Sequence, residues 1–359
     1  MVDYSFQDKL FGAWRDNGFK GCLDGCPSCG KTIAGKKTIE KYQKYFPYER
    51  IWIIVNSKIV ADQWKEECKG MEVEIYTYPT AVTKMHKLVR EGKDNQLPEM
   101  LVLDECQCIM APSWGQVMNF GVKKYIGLSG TPNGSERVLG GIIWTVDWKD
   151  ANIADTEVFF VKFMPTEDEM LKYASLSKGI EKYCGEHEYS RYKNDEFLRR
   201  LYNNRRRYVY NLKSRLPHAM KLIDKNRDKK LMIFCMHHKQ ALEISKLLTK
   251  SGIKHCVHIS GHEEVEKFIS GEVNVCISCR KISTGFNYPP ADTAILVSTA
   301  TSAYTAIQTL SRVIRPDPDN PDKKANIYIL LADKTNDIDL MYQNIFLKEK
   351  THKVNIDEI

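Results

Sequence analysis

Short apolar runs that alternate with helical patterns, in two separate blocks, limit what this chain can fold into more than any other feature. Between about residues 20 and 145 the runs are IWIIVN (51–56), VEIYTY (73–78), MLVLDE (100–105) and YIGLSG (125–130). Between about 230 and 332 they are LMIFCM (231–236), HCVHIS (255–260), VNVCIS (273–278), TAILVS (293–298) and NIYILL (326–331). Each is strand-sized, rich in Val and Ile, and separated from the next by a helical pattern. Such runs are expected to be buried parallel strands in βαβ units. The fold class is therefore α/β, with two tandem parallel-sheet lobes over residues 1–150 and 151–359. At ~100–200 residues per domain, 359 residues admit two or three domains.

One segment breaks the alternation. Residues 165–228 are rich in Tyr, Lys, Arg and Glu and hold no strand-like run, so a helical basic insertion is expected at the start of the second lobe. Residues 162–230 hold 18 Lys+Arg against 10 Asp+Glu, while the rest of the chain carries a net −1. A surplus concentrated in this way points to a polyanionic partner, or else to a solvated helical face. The densest part is Arg199, Arg200, Arg205, Arg206 and Arg207, interleaved with Tyr202, Tyr208 and Tyr210. PDPDNPDKK (316–324) reads as a surface loop, because its prolines suit neither a helix nor a central strand. Residues 337–348 read as a terminal helix.

No apolar run approaches the ~18 residues needed to cross a bilayer, and the polar N-terminus reads as neither signal nor transit peptide. The expected location is intracellular, with no membrane partner. Eleven cysteines without a secretory leader read as reduced thiols.

The chemistry is concentrated in two motifs. Gly25, Cys26, Pro27, Ser28, Cys29, Gly30, Lys31 and Thr32 match G-x-x-x-x-G-K-[ST], in which backbone N–H groups curl around a phosphate and glycine permits close approach. A helix follows, its positive end aimed at the same phosphates. Lys31 would reach the β and γ phosphates, and the Thr32 hydroxyl would ligate Mg²⁺. About 70 residues on, a strand ends in Asp104-Glu105, one acid suited to holding magnesium and one to activating water. Cys26/Cys29 and Cys276/Cys279 have zinc spacing, but the first pair lies inside the phosphate loop and the second in an apparent buried strand. Inert thiols are expected at both, and His255, His258 and His262 lack a fourth metal partner.

With these motifs in place, the chain resembles a superfamily 2 helicase along nearly its whole length. Phe6-Gln7 resembles the adenine-reading Q-type motif, and the phosphate loop is motif I. Val55-Asn-Ser57-Lys58 with Gln63-Trp64 resembles motif Ia, and Thr77-Tyr78 motif Ib. Asp104-Glu-Cys-Gln107 stands as motif II and Ser129-Gly-Thr131-Pro132 as motif III. In the second lobe Ile233-Phe234-Cys235 resembles motif IV, Ser283-Thr284-Gly285-Phe286-Asn287 motif V, and Gln308-Thr-Leu-Ser-Arg312-Val-Ile-Arg315 motif VI. Gln63-Trp64, Gly285-Phe286-Asn287 and Arg315-Pro316 are similar to the branch holding XPB, UvsW-type branch-remodelling helicases, the poxvirus transcript-release helicase and restriction-enzyme motors. Gln107 stands where that branch has His, Cys26 and Cys29 where it has Thr and Gly, and Ser311 where motif VI has Gly.

The resemblance implies two RecA-like lobes and ATP-dependent movement on nucleic acid, with DNA duplexes, forks or branches ahead of RNA as substrate. The alternatives are an RNA helicase and a nucleotide-gated DNA-binding subunit with little unwinding of its own. Lys31, Asp104, Glu105, Gln107, Gln308, Arg312 and Arg315 would be catalytic. Phe6, Gln7, the phosphate loop, Gly285, Asn287, Arg312 and Arg315 would bind nucleotide, with Thr32 and Asp104 on the magnesium. Ser57, Lys58, Thr77, Thr284 and the Arg205–Arg207 cluster would contact the polymer through its backbone, without reading sequence. With so little sequence outside the motifs, the chain reads as a near-bare motor. It is expected to be monomeric, viral or mobile-element in style, or targeted by a protein partner.

Overall fold

Strand residues alternate between the two faces of a sheet, and in the first half of the chain both faces are apolar. Ile51, Ile53 and Val55 join one core cluster, while Trp52 and Ile54 join another. A strand of this kind must be covered on both sides, and helices cover it. In the computed structural model the described residues are 5–26, 29–147, 154–186, 195–259, 261–279, 291–298, 313–314, 317, 320, 322–342 and 351–358. The chain divides into two units, the first comprising Met1–Asn152 and the second beginning at Ile153.

The first unit holds β1 (Cys22–Gly25), β2 (Ile51–Val55), β3 (Glu74–Thr77), β4 (Met100–Asp104), β5 (Lys124–Ser129) and β6 (Ile142–Val146), in the order β3-β2-β4-β5-β1-β6. Every pairing is parallel. On one face lie α1 (Ser5–Asp16), α2 (Lys31–Tyr45) and α3 (Lys58–Glu67), packed through Leu10, Trp14, Ile39, Tyr42 and Trp64. On the other, α4 (Tyr78–Arg90) brings Tyr78, Ala81, Met85 and Leu88, beside two 3₁₀ turns at Cys106–Met110 and Gly115–Phe120 and the short α5 (Ser135–Leu139).

The second unit holds β7 (Asp155–Phe163), β8 (Leu231–Cys235), β9 (Cys256–Ile259), β10 (His262–Glu263), β11 (Val275–Cys279), β12 (Thr293–Leu296), β13 (Lys324–Ala332) and β14 (Thr351–Asn355). Their order is β10-β9-β11-β8-β12-β13-β7-β14, parallel throughout except for the β9–β10 pair. The helices are α6 (Glu167–Glu186), α7 (Glu196–Tyr210), α8 (Arg215–Lys225), α9 (His238–Lys250) and α10 (Val265–Ile269). The architecture is therefore two α/β lobes with parallel sheets, each apolar run of the sequence supplying a strand.

The structure corrects the expected plan in two places. The basic stretch follows β7, which pairs with β13 over Asp155–Phe163. Its last third is no insertion: α8 buries Ala219, Leu222 and Ile223 in the same core as Ala241, Ile244 and Leu248 of α9. The chain also ends differently. Asn336–Tyr342 is a 3₁₀ turn, and after residues 343–350, which lie outside the described set, β14 joins the sheet beside β7. Among the described residues, no helix is long and apolar enough to cross a membrane.

One arginine of the basic stretch, Arg215, is fully internal. Arg215 donates to the carbonyls of Val297 at 2.8 Å, Leu330 at 2.7 Å and Val209 at 3.1 Å, and pairs with buried Asp337. Its charge is matched inside the protein and is not offered to a partner.

Candidate nucleotide site

In a parallel sheet, the carboxyl ends of the strands open onto the ligand-binding edge. Register places the first unit's motifs along that edge. Thr77 pairs with Val55, Asp24 pairs with Ser129, and β4 ends at Asp104 between β2 and β5. Fragments more than 100 residues apart in the chain are thereby brought side by side.

The phosphate loop leaves β1 at Gly25 and enters α2 through Gly30, whose φ of 89° is left-handed and suits glycine alone without strain. A Cβ on Gly25 would lie 2.7 Å from Cys29 Sγ, so bare backbone is required there too. Among the described residues, no side chain caps the N-terminal end of α2. Lys31 Nζ donates to the carbonyls of Gly25 at 2.8 Å and Cys26 at 3.1 Å, holding the ammonium within the loop. The adjacent Cys26 thiol, with the Lys31 charge beside it, brings the Cys29 thiol down to about 7 against its burial. The nearby Cys29 and burial push Cys26 the other way, and the Cys26 thiol donates to the Asp147 carbonyl at 3.4 Å. Pro27 and Ser28 lie outside the described residues.

Asp104 is buried at the end of β4. Its Oδ2 accepts the indole N–H of Trp64 at 2.8 Å, and its Oδ1 accepts the Glu105 N–H at 3.0 Å. Burial, then the neighbouring Glu105 carboxylate, pushes the Asp104 carboxyl up to about 6, against the opposing effects of Trp64 and Lys31. A buried acid raised in this way by its surroundings is suited to a cation that restores its charged form. Glu105 sits at φ 51°, a left-handed conformation uncommon outside glycine and characteristic of functional turns. Its Oε2 accepts from Gln107 Nε2 at 2.7 Å. Gln107 Oε1 in turn accepts from Ser129 Oγ at 2.6 Å, and Ser129 Oγ accepts the Thr131 N–H at 2.9 Å. Glutamine at 107 thus links the second and third motifs through both ends of its amide.

Other expected site residues are distributed unevenly. Gln7 Nε2 reaches the Gly30 carbonyl at 3.5 Å, tying α1 to the phosphate loop, whereas Phe6 is buried in the core. Thr32 lies in the first turn of α2 and is partly buried. Ser57 caps α3 by accepting the Val60 N–H at 3.4 Å, with exposed Lys58 next to it. Thr77 Oγ1 contacts Thr80 Oγ1 at 2.9 Å at the start of α4. In the basic cluster, Arg205 donates to Ser177 Oγ at 3.1 Å and lies over the rings of Tyr173 and Tyr202, binding α7 to α6. Arg206 and Arg207 are exposed. The three arginines therefore do not form one surface. Thr284, Gly285, Asn287, Gln308, Arg312 and Arg315 lie outside the described residues.

Two aromatic residues support the site in ways the residue pattern did not announce. Trp64 reads as a motif residue without a task. Tyr78 donates to the Asp104 carbonyl at 3.1 Å and stacks on Trp114 with centroids 5.6 Å apart. The one available signal was general: a buried Trp N–H or Tyr O–H takes a hydrogen-bond partner.

Comparison with known proteins agrees with this architecture. Residues 214–317 match the helicase conserved C-terminal domain. A search of curated protein sequences finds no match. Among solved structures, a fragment described as an HsdR subunit of a type I restriction enzyme from Vibrio vulnificus superposes with a TM-score of 0.63 at 14% identity, covering 98% of this chain and 68% of that one. The Hef helicase domain of Pyrococcus furiosus gives 0.58 at 14% identity, over 96% and 100% of the two chains. Dbp5 of S. cerevisiae, bound to RNA and ADP BeF3, gives 0.59 at 14% identity, over 98% and 90%. The chain has the tandem RecA-like fold shared by these structures, and its second unit carries the match to the helicase conserved C-terminal domain.

Proposed function

We propose that the protein is an ATP-hydrolysing, nucleic-acid-dependent helicase or translocase of superfamily 2, acting on DNA duplexes, forks or branches. One observation carries the reading: the Gly25–Lys31 loop and the Asp104–Glu105 pair stand on the same sheet edge, two strands apart with β5 between them. Phosphate recognition and water activation require that juxtaposition. Lys31 would exchange its loop carbonyls for phosphate oxygens, and the α2 N-terminus would add its N–H groups. Thr32 and Asp104 would hold the Mg²⁺ that offsets phosphate charge. Glu105 would orient the attacking water and accept its proton, with its carboxylate held by Gln107. Arg312 and Arg315 are the second unit's candidates for stabilising charge on the transferring phosphoryl. Ser57, Lys58 and Thr77 are proposed to meet the polymer backbone.

Phosphate hydrolysis is measured with no polymer, single-stranded DNA, duplex DNA, branched DNA and RNA. Stimulation greatest with branched or duplex DNA supports the reading. Stimulation by RNA alone identifies an RNA helicase, and no hydrolysis under any condition identifies a nucleotide-gated binding subunit.

A further inference from the structure

The buried side of α3 carries an inference that rests on the nucleotide reading above and deepens it. Trp64 has no exposed surface, yet its indole N–H meets a charged acceptor, Asp104 Oδ2, at 2.8 Å. The other carboxylate oxygen accepts the Glu105 N–H at 3.0 Å. A carboxylate offers about four lone-pair sites. One donor on each oxygen sets the rotation of the group and leaves lone pairs over for a cation.

The same indole is held firmly. A Cβ on Gly35 of α2 would lie 2.8 Å from the ring's Cη2 and 2.8 Å from Leu128 Cδ1. The ring therefore lies against bare backbone of the helix that follows the phosphate loop. It joins that helix to the end of β4, with Leu128 of β5 at its side. Hydrophobic packing alone would be served by Phe, which has no N–H to present to Asp104.

We propose that Trp64 is a positioning residue that orients the Asp104 carboxylate toward the divalent cation of a bound nucleotide. It acts through Asp104 and touches neither nucleotide nor cation. Hydrogen-bond partners behind a metal ligand characteristically govern metal affinity, and their loss costs ~10–100-fold.

Trp64→Phe removes the N–H and keeps an aromatic ring. The probe is ADP, its affinity measured by calorimetry in Mg²⁺ and again in EDTA. The expected result is a fall of ~10–100-fold in the Mg²⁺-dependent part of the affinity, with the EDTA value unchanged. The Mg²⁺ concentration for half-maximal hydrolysis should rise in parallel. A folded Trp64→Phe protein with wild-type Mg²⁺ dependence overturns the proposal and leaves Trp64 as packing. Should Trp64→Phe fail to fold, benzothienylalanine at position 64 repeats the comparison with sulfur in place of N–H and the ring shape kept; a wild-type Mg²⁺ response there overturns the proposal as well. Absence of ADP binding by the wild-type protein is a separate outcome, which overturns the nucleotide reading and this proposal with it.

Discussion

Gln107 and Ser129 are joined by a 2.6 Å hydrogen bond in which the serine hydroxyl donates to the amide oxygen, while the amide nitrogen of Gln107 donates to Glu105. An amide is suited to this position because it can donate to a carboxylate and accept from a hydroxyl at once, with no change of charge. Hydrogen bonds to charged groups contribute ~1.5–3 kcal/mol, equivalent to roughly 10–100-fold in rate when the bond acts on the transition state. Gln107→Ala is therefore expected to lower kcat by about 10-fold or more, with ATP affinity little changed. Steady-state hydrolysis and equilibrium binding check this together; a parallel loss of affinity would place Gln107 in ground-state binding.

Lys31 and Glu105 separate binding from turnover. Lys31→Ala is expected to weaken nucleotide binding and hydrolysis alike. Glu105→Gln is expected to bind ATP normally, lose turnover and accumulate as an ATP-bound complex on nucleic acid. Fluorescent-nucleotide titration and single-turnover hydrolysis on both variants decide the matter. Near-wild-type turnover by either would sink the assignment of the catalytic pair.

The arginines of α7 should divide in the same way as their contacts. Each phosphate contact contributes a slope of roughly 0.9 to the fall of log K with log salt on duplex DNA. Replacing exposed Arg206 and Arg207 with Ala is expected to flatten that slope by up to about 1.8, similarly across sequences. Arg205→Ala is expected to lower the melting temperature instead, because Arg205 joins α7 to Ser177 and Tyr173 of α6. A salt slope that responds to Arg205 and not to Arg206 and Arg207 would reverse the assignment.

Cys29 is expected to make nucleotide binding by the phosphate loop sensitive to pH. Its thiol is brought below the ordinary value of 9.0 to about 7. Below that pH the loop carries no charge from Cys29; above it the thiolate forms and opposes an incoming phosphate. ATP affinity is therefore expected to fall as pH rises through 7 toward 9, by at most about tenfold per pH unit for one linked proton. Cys29→Ser should flatten the profile relative to wild type. Calorimetry in buffers of different ionisation heat should also show proton uptake on binding above pH 7 in the wild-type protein, absent from the variant.

What the sequence by itself determined was everything carried by local pattern and by the chemistry of adjacent residues. Apolar runs such as IWIIV and MLVLD can satisfy their side chains only as strands covered on both faces. Gly25, Gly30 and Lys31 likewise announce a phosphate loop within eight residues, and Asp104-Glu105 a paired acid within two. Two of the strands outside those runs have weak local signals. β1 is four residues long with Asp24 inside it, and β7 mixes Glu157 and Lys162 into its apolar run; each is a strand because a distant partner holds it, Cys22 beside Gly127 and Phe159 beside Tyr328. Only the tertiary structure could decide which members of one motif share a surface. Arg205 turns toward α6 while Arg206 and Arg207 face solvent, and Arg215 spends its charge on Asp337, 122 residues away. The support behind the candidate site belongs to the same class, since Trp64 reaches Asp104 across 40 residues of chain. Periodicity reports which face of an element is apolar. It does not specify which buried donor meets which acceptor, because that pairing is chosen when separate elements pack and every buried polar group must find a partner.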